Sequence, residues 1–80
     1  MLIAEVKIEL KRGVADPEGE NTKKALRLLG FDEIETVKSV KLFEISLNTD
    51  DKEKARKRIE EMCNKLLANP VIHNYSITLK

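Results

Sequence analysis

Eighty residues suffice for one domain with a small core, burying about 60–65% of the surface that the unfolded chain exposes. Fifteen Lys and Arg against 14 Asp and Glu leave a formal charge of +1, which argues against nucleic-acid or membrane binding driven by bulk charge. The single cysteine, Cys63, excludes an internal disulfide and a cysteine-based zinc cluster, so self-association as a dimer or tetramer is the expected extra source of stability. The first residues carry no basic segment followed by an apolar run, and no apolar stretch approaches the ~20 residues of a membrane span. Together with a free cysteine these features predict a cytoplasmic protein with no membrane partner.

Residues 2–11 alternate, with Ala4, Val6, Ile8 and Leu10 on one side and Glu5, Lys7, Glu9 and Lys11 on the other. That period of two predicts a strand with one buried face. After a loop over Arg12–Ala15, Asp16-Pro17-Glu18-Gly19-Glu20 reads as a helix start. Asp16 caps the first free amides, Pro17 fits the first helical position, and the two glutamates suit the positive end of the helix dipole. Thr22, Ala25, Leu26 and Leu29 follow at the spacing of one helical face, and Gly30 is a stop.

Residues 31–47 are too long for one strand, so two strands are expected: Ile34–Val40 and Lys41–Asn48, joined near Ser39–Leu42. The second alternates clearly, with Phe43, Ile45 and Leu47 inward. Thr49–Glu53 starts a second helix, with Asp50 and Glu53 at the spacing of a capping box. Ala55, Ile59, Met62, Cys63, Leu66 and Leu67 then form the strongest periodic signal in the chain and predict a core-facing stripe. Opposite charges at Glu53–Lys57, Lys57–Glu61 and Glu61–Lys65 stand four residues apart. Asn69 in a left-handed position and Pro70 end the helix, and Val71–Lys80 closes as a strand.

The order strand, helix, strand, strand, helix, strand predicts an α+β ferredoxin-like split βαβ plait. Both helices would cover one face of a four-stranded antiparallel sheet. The opposite face would show Ile3, Glu5, Lys7, Glu9, Leu42, Glu44 and Ser46, suited to solvent or to a self-complementary contact.

No catalytic constellation stands out. His73 has no second His or Cys near it in sequence, so no metal site is expected. Cys63 lies on the apolar helix face, where burial makes a thiol inert. Strand one offers no aromatic for base stacking, and the phase of Phe43 points to the helices, so no nucleic-acid partner is expected. The glycines at 13, 19 and 30 form no nucleotide-binding motif. Gly19 is the oddest, inside a first helical turn, where it reads first as a tolerated first-turn glycine and second as bare backbone for close contact with a partner.

A larger pattern is made by Asp16-Pro17-Glu18-Gly19, Leu29-Gly30-Phe31, Val37-Lys38, Lys41, Glu44 and the block Met62–Ile72 with Tyr75. In this order and spacing, over nearly the whole chain, it resembles the PurS family. Where that family commonly has glycine before the hairpin lysine, this chain has Val40. The resemblance implies the small subunit of phosphoribosylformylglycinamidine synthase. Such a subunit is non-catalytic and dimeric, and it bridges a glutaminase subunit and a large synthetase subunit. The assembly makes formylglycinamidine ribonucleotide from formylglycinamide ribonucleotide, glutamine and ATP. No cofactor is expected in this chain; ATP and Mg²⁺ belong to the large partner. The candidate partner contacts implied are Asp16, Pro17, Glu18, Gly19 and Lys41. Two other classes fit the same plait: a ligand-sensing regulatory module, and an acylphosphatase-type enzyme using Arg12-Gly13.

Overall fold

The computed structural model describes all residues, 1–80. It contains β1 (Leu2–Leu10), α1 (Pro17–Leu28), β2 (Val40–Leu47), α2 (Lys52–Met62), a π-helical turn (Cys63–Leu67) and β3 (His73–Leu79). The sheet is antiparallel, in the order β2-β1-β3. Ala4, Val6 and Ile8 face Ile45, Phe43 and Lys41 on one side and Leu79, Ile77 and Tyr75 on the other. The alternation read from the sequence therefore sets one face of all three strands.

The core is small. Ala4, Val6 and Ile8 pack under Ile59, Cys63 and Ala68, with Phe43, Ile45, Met62 and Ile77 half-buried around them. The core stripe of α2 holds at Ala55, Ile59 and Cys63. It fails at Leu66, which is 84% exposed. Ala68 N–H donates to the Cys63 carbonyl, five residues back, at 2.9 Å. The extra residue in that turn rotates everything after it. Leu67 stays on the inner side as expected, Ala68 joins it, and Leu66 swings into solvent.

Two cap assignments shift. Asp51, not Asp50, caps α2 by accepting the Lys54 N–H, and Asp50 pairs with the Met1 amino group. Asn69 is not left-handed. Ala68 ends the helix in an extended conformation, and the Asn69 side chain accepts the Val71 N–H in a local turn. The expected i,i+4 charge pairs do not close; Arg58–Glu61 at 3.4 Å is the ion pair on this helix. Gly30 stops α1 as expected, at φ 102°.

The larger departure is in the first half of the chain. The expected strand Ile34–Val40 is absent apart from Val40, so the sheet has three strands rather than four. Side chains capture the backbone groups that a fourth strand would use. Arg27 donates to the Ile34 carbonyl at 2.7 Å, and Asp16 accepts the Ser39 N–H at 2.8 Å. The two helices also do not share a sheet face. α2 packs on β1 and β3, whereas α1 lies off the sheet. Thr22, Ala25 and Leu29, expected to face the core, are exposed. On α1 only Gly19 is buried and Lys23 and Leu26 half-buried; Gly19 lies against the Val37 carbonyl and Arg27 donates to the Ile34 carbonyl, so the helix is tied to its own return segment, where Ile34 and Val37 are half-buried too. The radius of gyration is 16.0 Å, well above the ~12 Å of a compact chain of this length. Residues 17–39 thus form a projecting arm.

Candidate functional site

The arm is attached at the end of the sheet where β1 finishes and β2 and β3 begin. Lys11, Arg12, Gly13 and Val14 make a reverse turn, closed by Val14 N–H donating to the Lys11 carbonyl at 3.1 Å. Gly13 has φ 88°, as the third residue of such a turn requires. The Lys11 ammonium reaches across to the Pro70 carbonyl at 2.8 Å and fastens this turn to the one before β3.

Asp16 is the hub of the attachment. One carboxylate oxygen accepts the Gly19 N–H at 3.0 Å, which is the predicted helix cap. The same oxygen accepts the Ser39 hydroxyl at 2.7 Å, and the other accepts the Ser39 N–H at 2.8 Å. One side chain therefore joins the start of α1 to the start of β2, across 23 residues of sequence. The Ser39 backbone bond is the largest influence holding the Asp16 carboxyl below its ordinary 3.8, followed by the Ser39 hydroxyl and the Gly19 amide.

Gly19 completes the clasp. A Cβ at this position would stand 2.5 Å from the Val37 carbonyl oxygen and 2.6 Å from an Asp16 carboxylate oxygen. The bare backbone that looked suited to a partner is used inside the chain. Of the sequence-predicted contacts, Asp16 and Gly19 are thus turned inward, while Pro17, Glu18 and Lys41 are exposed. Glu18 and Lys41 border one shallow cleft, together with Ile8, Leu10, Val40 and His73. A larger open cleft of about 810 Å³ lies on the other side of the clasp, between the Arg12–Asp16 loop and Thr36–Ser39. The predicted residues therefore do converge on one end of the sheet. Ser39 and Val37 are the members that sequence reasoning missed, because nothing local marks a hydroxyl or a carbonyl as partner to a distant helix start.

The remaining candidates for chemistry are committed elsewhere. Cys63 is fully buried, and burial pushes its thiol above the ordinary value. His73 accepts the Asn69 N–H on Nδ1 at 2.9 Å. Phe43 faces the helix side of the sheet opposite Val6, as its phase predicted. On the other sheet face Glu5 lies directly across from Glu44, a like-charge pair, and the Lys80 ammonium sits on Glu5.

The family model described as PurS, phosphoribosylformylglycinamidine (FGAM) synthase, matches residues 3–80. The chain belongs to the PurS family. The PurS subunit of Archaeoglobus fulgidus is 60% identical over 76 residues, covering 95% of each chain. The crystal structure of PurS from Methanocaldococcus jannaschii superposes with a TM-score of 0.92 at 45% identity, covering 100% of this chain and 96% of that one. A chain of the Thermotoga maritima PurLQS structure shares the fold, with a TM-score of 0.76 at 24% identity over 100% and 99% of the two chains.

The stretch Asp16-Pro17-Glu18-Gly19 thus has a structural role in its first and last residues and exposed side chains in its middle two. Val40 opens β2 opposite Glu9 and is half exposed. Ser39→Ala tests the clasp: losing one hydroxyl bond to a carboxylate is expected to cost ~1–2 kcal/mol in urea unfolding. The pH dependence has a defined sign. Because the folded-state carboxyl is depressed, the stabilisation from Asp16 is fully present above the ordinary 3.8 and is lost as pH falls through the lower folded value. The Tm gap between the parent chain and Asp16→Asn should therefore be constant at neutral pH and close below about pH 4. A gap that widens on acidification would contradict this.

Proposed function

We propose that this PurS chain is the non-catalytic small subunit of FGAM synthase in purine biosynthesis, bridging a glutaminase subunit and a large synthetase subunit. The observation that carries the reading is the family match over residues 3–80. The commitments of the titratable groups agree with it. Cys63 and His73, the residues best suited to nucleophilic or acid–base work, are tied into the fold. In this reading the glutaminase subunit releases ammonia. The large subunit binds ATP and Mg²⁺ and uses them to activate the amide of formylglycinamide ribonucleotide. The small chain self-associates and supplies geometry.

Pro17, Glu18 and Lys41 are the exposed residues through which the chain touches its partners. They suit this work because they ride on a rigid base, fixed by Asp16 and Ser39. The test is reconstitution of glutamine-dependent FGAM formation from purified large and glutaminase subunits, titrated with this chain. Rate should rise sharply with added chain and saturate. Lys41→Glu should shift half-saturation roughly tenfold to higher concentration without changing the saturated rate, as expected for a rim charge. A synthesis rate indifferent to the chain would refute the proposal.

A further inference from the structure

We infer that the cleft where the inner sheet face meets the root of the arm binds a free α-amino acid, taken as its zwitterion. The floor of this cleft is Ile8 and Leu10, near the end of β1. Ile8 is buried and Leu10 half-buried. Three other elements bring groups to that floor. Lys41 lies directly across from Ile8 on β2, and His73 lies directly across from Leu10 on β3. Neighbouring strands run about 4.8 Å apart, so the backbones of these two residues flank β1 at roughly 10 Å from each other across the sheet. Glu18 comes from the first turn of α1, and Val40 closes the β2 side.

The polar groups are complementary to a zwitterion. The Lys41 ammonium and the Glu18 carboxylate are both exposed at the rim. They pair neither with each other nor with another residue, although Met1–Asp50, Arg58–Glu61 and Lys80–Glu5 do form ion pairs. His73 adds a contact of fixed kind. Its Nδ1 accepts the Asn69 N–H at 2.9 Å, so the neutral ring carries its proton on Nε2, and that atom is a donor.

The cleft thus offers a cation, an anion and a neutral donor around an apolar floor. An α-amino acid presents its carboxylate to the first, its ammonium to the second and an aliphatic side chain to Ile8 and Leu10. A plain anion leaves Glu18 unmet, and a plain cation leaves Lys41 unmet. The volume of about 320 Å³ sits at the lower end of the ~300–1,000 Å³ of ligand pockets, which restricts the occupant to a small metabolite.

L-Leucine is the probe, because its side chain matches the floor. Titrated into the full chain alone, it should shift the Ile8 and Leu10 methyl resonances and the His73 Nε2 resonance saturably, at millimolar concentration or below. N-acetyl-L-leucine lacks the ammonium and L-leucinamide lacks the carboxylate, and each should bind roughly tenfold or more weakly. Variants and probes should then cross. Glu18→Gln should bind L-leucine about as weakly as the parent chain binds N-acetyl-L-leucine, and should bind N-acetyl-L-leucine no worse than the parent does. Lys41→Met should show the same relation to L-leucinamide. Both residues are exposed, so the far-ultraviolet circular dichroism should be unchanged.

Absence of a saturable shift overturns the inference, and so does equal binding of the three probes. A loss in Glu18→Gln that is as large for N-acetyl-L-leucine as for L-leucine also overturns it. Glu18 and Lys41 are the charges assigned to partner contact above, so these titrations use the chain without the other subunits. A chain that binds L-leucine with the crossed pattern but does not stimulate FGAM synthesis would refute the subunit reading and leave the cleft site standing. A chain that stimulates synthesis but shows no saturable shift would strike the cleft site alone.

Discussion

Ile59→Ala is expected to destabilise the chain by about 2–5 kcal/mol, read as a lower urea midpoint with an unchanged slope. Ile59 is fully buried and is the largest such side chain in the molecule. It stands at the centre of the cluster made by Ala4, Val6, Ile8, Cys63 and Ala68. Two of its neighbours are alanines, which have no spare atoms to fill the space. The surrounding structure therefore has little capacity to relax, and the cost should lie toward the upper part of the range. A domain of this size commonly holds ~5–15 kcal/mol in all, so the variant would be near the limit of folding. Ile59→Val, which removes one methylene, should cost only ~0.5–1.5 kcal/mol. Both should be measured at one protein concentration, because the self-association proposed above would add to apparent stability. A cost below 1 kcal/mol for the alanine variant would show that this helix does not carry the core.

Gly19→Ala gives the second large effect, and its sign is diagnostic. Helix propensity alone favours alanine over glycine by up to ~1 kcal/mol. The clasp demands the reverse. The added methyl would lie 2.5 Å from a backbone carbonyl, that of Val37, and backbone yields less readily than a flexible side-chain end. Forcing that contact should cost ~1–3 kcal/mol net and loosen the arm at its root. Faster amide exchange at Ser39, whose N–H is held by Asp16, would report the loosening directly. A stabilised alanine variant would mean that the helix start is not held against the 36–39 segment.

These two sites differ in how far the sequence revealed them. Ile59 lies in the strongest periodic run, where a spacing of 3.6 residues states which side chains share a face. Gly19 was visible as an anomaly, a glycine in a first helical turn, and the reason for it was not. The atom that requires it, the Val37 carbonyl, is 18 residues away and carries no mark in the sequence. Asp16 was legible as a cap because capping is local, to the Gly19 amide three residues on. Its second partner, Ser39, was not. Leu66 shows the same limit from the other side. Periodicity placed it in the core, and one five-residue hydrogen bond from Ala68 to Cys63 moved it out.

The sequence by itself determined the family, the two helices, the three strands that alternate cleanly, and the face of the sheet that is buried. Each of these rests on short-range repetition or on a motif of fixed spacing. The tertiary structure alone decided that residues 34–39 do not join the sheet and that α1 leaves it. The physical reason is a competition for the same backbone groups. Asp16 and Arg27 satisfy the Ser39 amide and the Ile34 carbonyl before a fourth strand can, and Gly19 lets α1 press against its own return segment. Two side chains and one bare glycine thus turn an expected closed plait into an open one with a free helix and an open strip of sheet.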